Sequence, residues 1–436
     1  MWQRLTSWLV RYRPFVYGLL VGGFMLWAYF RVTAFAATAH PATIWMRIFS
    51  YRDFNSWADI WTYMRDLRTG IPPVLSFLEV ASFKVFGSLG WLVKGVYRYS
   101  IILMLLLPLL LTAGRWRHLL LTLGMASILL ASILYIHPGN PQLYDVMLPT
   151  FILLFLVCLR GAFRASWPRW MQLCLAILSG FFLSMAELAR PFMIAMVPLL
   201  LLYAGFHFWQ KGQQRRFLLF LLPVLLFSGL WHTKLLIYND GQIIWSNHGG
   251  TNLFRAWMPL VDQEVMNPLL QEEAPPLNDF GWAMNNINTQ IHAENSRVRS
   301  QAVIAGIKAH PGAALALLWE KTLIFTQPRT GMYEHNPDAP VLVWYRVLVK
   351  GLFVFLGLML PVALVRGLRR WRYFFSWEFA GLFLAFFLSF MPIIGEEGEE
   401  ARFLVAVLPF LLWEGLILSD WVTEAAAALR TRRQGH

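Results

Sequence analysis

Residues 342–365 read LVWYRVLVKGLFVFLGLMLPVALV, and four arginines, Arg366, Arg369, Arg370 and Arg372, follow at once. An apolar run of about 20 residues matches the ~30 Å hydrocarbon core of a bilayer when helical. In hydrocarbon the backbone must satisfy its own hydrogen bonds, which leaves the helix as the form of a lone span. Basic residues behind a span mark its cytoplasmic end. The stretch in front of it, 234–340, is the longest interruption of apolar sequence in the chain, and it therefore falls on the outer side. That junction sets the class: an all-α membrane protein with one large outer loop.

Working outward, nine further apolar runs lie at 14–30, 99–113, 118–136, 146–159, 171–188, 191–209, 217–233, 374–394 and 403–421. The sequence thus predicts an all-α polytopic membrane protein with about ten transmembrane helices. Hydrophobic residues make up 58% of the chain and its mean hydropathy is +0.51, which excludes a soluble domain of ordinary composition. Threading the spans from a cytoplasmic N-terminus puts Arg11 and Arg13, Arg115 and Arg117, Arg160, Arg164 and Arg169, Lys211, Arg215 and Arg216, and the arginines after 365 on the inside. Asp53, Asp59, Asp145, Glu187 and the acids at 396–400 fall outside. Both termini are then cytoplasmic, in a bacterial cytoplasmic (inner) membrane. The net charge of +13 sits in clusters beside the spans, not on one soluble face, so its partners are anionic membrane lipids and not nucleic acid. One integral membrane domain, 1–436, is expected, with an outer segment at 31–98 and the large outer loop at 234–340.

The outer segment is too charged to cross and too aromatic to be a simple loop. Phe54, Trp57, Trp61 and Met64 recur at helical spacing, with Asp59, Tyr63 and Asp66 elsewhere on the wheel, as in a helix lying in the interface. GIPPVLSFLEVASFKVFG, residues 70–87, begins on paired prolines and carries Glu79 and Lys84. A charge at mid-bilayer costs about 3 kcal/mol or more, so this is a second interfacial or re-entrant helix.

The order of these features resembles the polytopic GT-C glycosyltransferases, especially their bacterial mannosyltransferase-like branch. A first span, an acidic aromatic outer helix, PPVLSFLEVASFKVFG and then Tyr97-Arg98-Tyr99-Ser100 at the next span carry the likeness. NPQLYDV at 140–146, AVIAGIKAHPGAALALLWEKTLIF at 302–325 and EEARFLVAVLPFL at 399–411 agree with it in order. The resemblance implies transfer of a sugar from a polyprenyl-phosphate carrier to a lipid, glycan or protein acceptor at the outer face. Many members carry an acidic pair soon after the first span, where this chain has His40-Pro41, so Asp53 and Asp59 are the nearest carboxylates.

In such a reaction a carboxylate takes the proton of the acceptor hydroxyl, and cations hold the departing phosphate. Asp53 is the first candidate base and Asp59 the second; an ion pair of Asp53 with Arg47 or Arg52 is the competing reading. Asp145 opens a span, where an acid complements the helix dipole, or it is a further active-site carboxylate. Glu187 and Arg190 flank a tight turn and either pair with each other or leave Arg190 to bind phosphate. Arg402, just inside the last span, is a phosphate ligand or a partner of Glu399 or Glu400. WSNHGGTNLFRAW, residues 245–257, offers His248 and Arg255 around a sharp turn at Gly249-Gly250, as a loop cap or a wrap for an anionic carrier. No motif demands a cofactor. The crowded Glu396, Glu397, Glu399 and Glu400 are either a solvated loop or a divalent metal site. A flippase of lipid-linked saccharide, a glycan polymerase or ligase, and an inactive relative are the competing functions.

Overall fold

The computed structural model describes residues 13–38, 90–112, 116–136, 143–238, 249–262, 290–326, 340–395 and 400–434, with positions 74, 241, 264 and 265. Nearly all of these residues are helical, and none of them lies in a strand. The helices are α1 (Arg13–Thr38), α2 (Gly90–Leu110), α3 (Trp116–Ile136), α4 (Leu143–Ala162), α5 (Arg169–Ala189), α6 (Val197–Gln210), α7 (Gln214–Val224) and α8 (Leu230–Tyr238). They continue with α9 (Gly249–Trp257), α10 (Gln290–Ala309), α11 (Pro311–Thr326), α12 (Pro340–Arg369), α13 (Trp377–Gly395) and α14 (Glu400–Gln434). A π turn at Leu225–Gly229, just after Pro223, joins α7 and α8 into one span. Proline supplies no N–H to the helix ladder, and a locally widened turn is a common accommodation.

Seven of the ten expected spans are long and apolar enough to cross a membrane. The other three are also apolar helices but shorter: segments of α2 and α3, and the run at 191–209, which splits into a 3₁₀ turn at Pro191–Ala195 and α6. An eighth candidate arises where the sequence predicts only outer loop. There α10 and α11 form an apolar pair bent by 110° at His310-Pro311. Proline fits the first turn of a helix but disfavours helical geometry in the residue before it, so the break falls at that dipeptide.

Burial separates centre from rim. The apolar window of α4 is 78% buried and that of α14 67%, against 17% for α1, so α4 and α14 form the axis and α1 faces lipid. Without a hydrophobic drive between spans, close approach and side-chain-to-backbone bonds hold them together. A Cβ on Gly180 would lie 1.9 Å from the Phe220 carbonyl oxygen, so α5 and α7 meet backbone to backbone. The Ser179 hydroxyl donates to the Phe155 carbonyl (3.1 Å), tying α5 to α4. That of Thr150 donates to the Ser100 carbonyl (3.0 Å), tying α4 to α2.

Part of the large loop folds into a small apolar core of its own, with Phe254, Trp257, Leu260, Val303 and Ala314 packed beside Ile394 of α13. The Trp257 indole N–H donates to the Ile394 carbonyl at 2.7 Å, pinning α9 over the end of α13. Gly249 and Gly250 open α9 instead of making the sharp turn expected of them. The burial of Phe254 and Trp257 outweighs the weak helix propensity of the two glycines.

Candidate functional site at one end of the bundle

One end of the bundle gathers the start of α4, the end of α5 and α8. This is the end predicted to face outward. Asp145 lies in the first turn of α4, 1% exposed, and accepts a hydrogen bond from the Arg190 guanidinium, which caps α5. Glu187, in the last turn of α5, pairs with His232 of α8. Glu187 and Arg190 therefore do not pair with each other as one reading of their turn had it; each reaches across to a different helix. The β-type backbone of Arg190, between α5 and the following 3₁₀ turn, swings its side chain away from its own helix toward α4.

Two carboxylates and two potential cations thus sit together, drawn from the ends of three spans. Asp145 occupies the helix start expected of it, and it meets a part-buried arginine there. Tyr97 of α2 is buried within electrostatic reach of Asp145. Arg98, next to it, places its guanidinium 6.0 Å from the centre of the Tyr29 ring, bringing a further cation to the same end. Desolvated ion pairs are costly and hold only with good geometry, and in a span they mark cavities, partners or binding sites.

The remaining expected site residues divide. Arg255 lies on the exposed face of α9, opposite Phe254 and Trp257. Arg402 falls in the first turn of α14, with its side chain outside the described residues. Asp53, Asp59, His248 and Glu399 also lie outside them, as do the interfacial helix expected around Phe54 to Met64 and, apart from Val74, the one expected within 70–87. Among the described residues no group of three His, Cys, Asp or Glu side chains could hold a metal ion. His232 and Arg98 were not singled out from the sequence as site residues. The signal for His232 is an ionisable side chain near the end of a span, a place where such groups rarely stand without a function or a partner.

The described helices define an all-α polytopic membrane protein. No family model matches the chain, and no curated protein matches it in sequence. Among solved structures it is similar to ArnT from Cupriavidus metallidurans, in a crystal structure bound to undecaprenyl phosphate. The two share 14% identity and a TM-score of 0.31, over 79% of this chain and 67% of that one.

Proposed function

We propose that the chain is a membrane glycosyltransferase of the GT-C type. It moves a sugar from a polyprenyl-phosphate carrier to a lipid, glycan or protein acceptor at the end of the bundle that holds Asp145 and Arg190. The observation that carries this reading is the buried Asp145–Arg190 pair beside the Glu187–His232 pair. Acids and cations meet there at the outer edge of the apolar slab, where a lipid phosphate lies. In the proposed step Asp53 takes the proton of the acceptor hydroxyl as its oxygen bonds to the anomeric carbon. The bond from that carbon to the carrier phosphate breaks, and the phosphate leaves with the electron pair. Arg190, oriented by Asp145, and Arg402 hold the phosphate as its charge grows, through charge-assisted hydrogen bonds. Asp59 is the alternative base.

The test uses purified full-length protein, a panel of polyprenyl-phosphate sugars and a membrane extract as acceptor source. Release of polyprenyl phosphate and transfer of the labelled sugar are both followed. One donor is expected to be consumed, and Asp53→Asn to cut turnover about 10²–10⁴-fold, the usual worth of a general base, with donor binding preserved. Arg402→Ala is expected to weaken donor binding instead. Retained turnover in Asp53→Asn with loss in Asp59→Asn or Asp145→Asn would reassign the base. Activity in all three would reject a carboxylate mechanism, and passage of intact donor across proteoliposomes without cleavage would make the chain a flippase.

A further inference from the structure

The other end of the bundle carries a cluster that the transfer reaction does not use. Asp145 and Arg160 stand at opposite ends of α4, about 22 Å apart at 1.5 Å per residue, so this cluster is remote from the candidate site. Arg160 lies in the last turn of α4, half-buried and within electrostatic reach of the Tyr203 hydroxyl on α6. Tyr203 is only 6% exposed, and its hydroxyl has no hydrogen-bond partner among the described residues. One helical turn on, His207 presents its edge to the same ring, with centroids 4.7 Å apart, and its buried Nε2 likewise has no partner among them.

Both rings are held in place. His207 stacks on Trp377 at 5.3 Å, Tyr203 meets Trp377 edge-on at 5.7 Å, and Phe163 locks the end of α4 against Phe208 at 4.7 Å. The charge around them is of one sign. Arg164 and Lys211 flank Arg160 and His207, and among the described residues none of Arg160, Arg164 and Lys211 is in an ion pair. Of the acids near this end, Asp420 pairs with Arg117 and His118 and Glu378 with Arg366. Glu414 and Glu424 lie within electrostatic reach of Glu378, and none of the four forms an ion pair with Arg160. A half-buried guanidinium outside any ion pair lies within electrostatic reach of a buried hydroxyl without an acceptor, and two such donors suit an anion.

We propose that Arg160, Tyr203 and His207 form a binding site for the phosphate of an anionic phospholipid at this end of the bundle. The guanidinium and the phenol donate to the phosphate oxygens, and the exposed apolar flank of α6, at Leu199 and Leu202, leaves room for acyl chains alongside. Inorganic phosphate shares the headgroup chemistry but not the chains, and the experiment separates the two.

Full-length protein in detergent is loaded with phosphatidylglycerol and its retention is read by native mass spectrometry at rising collision energy, with melting temperature as the check on folding. Arg160→Gln is expected to lower apparent affinity about tenfold, which corresponds to ~1.4 kcal/mol, and Tyr203→Phe to lower it less. Arg215→Gln, on an exposed position at the same end, is expected to leave it unchanged. Displacement of the lipid by millimolar inorganic phosphate would keep the phosphate site and make the free anion its ligand. Equal losses in Arg160→Gln and Arg215→Gln would reduce the effect to diffuse attraction by basic residues and overturn the site. Unchanged retention in a well-folded Arg160→Gln/Tyr203→Phe double variant would overturn it as well.

Discussion

At the scale of residues, the Asp145–Arg190 pair joins positions 45 apart in sequence, and its two halves were not equally legible. An acid in the first turn of a span announces itself, because a helix start favours negative charge. Its partner does not, since nothing in the local sequence says toward which neighbour Arg190 will turn. The same holds for Glu187 and His232, which share no motif and meet only because the last turn of α5 comes to the start of α8. Removing one member of a buried pair strands the other charge, at a cost of about 3–5 kcal/mol, whereas removing both does not. Asp145→Asn and Arg190→Gln are therefore each expected to lower the melting temperature, and the double variant to regain most of the loss. If Arg190 also holds the donor phosphate, the double variant stays stable yet binds donor poorly. Recovery of both stability and donor binding would leave the pair a purely structural one.

At the scale of elements, the spans at 14–30, 146–159, 171–188, 217–233, 342–365, 374–394 and 403–421 were readable because length and apolarity alone decide whether a helix can cross a bilayer. The large loop was not, since its order depends on tertiary burial. Phe254, Trp257 and Leu260 gain a core only once Val303 and Ala314 are brought to them, and that meeting leaves no periodic trace strong enough to outweigh Gly249-Gly250. Helix contacts through glycine are equally silent in sequence. Gly180 and Gly124 look alike on their helices, yet a Cβ on Gly180 collides with the Phe220 carbonyl and one on Gly124 meets nothing within 4 Å. Gly180→Ala is expected to destabilise the protein by about 1–3 kcal/mol, the usual range for overpacking. Gly124→Ala is expected to be neutral or to stabilise by up to about 1 kcal/mol through helix propensity. Thermal unfolding of the two variants in the same detergent makes the comparison, and equal melting temperatures would remove the close approach of α5 and α7 as a determinant of the fold.

At the scale of the whole molecule, the distribution of charge sets the orientation. Arg117, Arg160, Arg164, Lys211, Arg216 and Arg366 gather at one end of the bundle, while Asp145 and Glu187 lie at the other. Short loops rich in Lys and Arg remain on the cytoplasmic side during insertion, so the end bearing the candidate site is expected to face outward with both termini inside. Gln210, exposed at the end of α6, and Asn278, in the large loop, should therefore lie on opposite sides. Gln210 suits a probe better than its neighbour Gly212, whose φ of +62° strains any other side chain. In a background with Cys158 and Cys174 replaced by alanine, an impermeant maleimide applied to intact spheroplasts is expected to label Asn278→Cys at once. It should reach Gln210→Cys only after the membrane is opened. Labelling of both from the same side would break the ten-span threading. The reverse pattern would turn the molecule over, placing Asp145 and Arg190 in the cytoplasmic leaflet, where the donor would have to be presented from within.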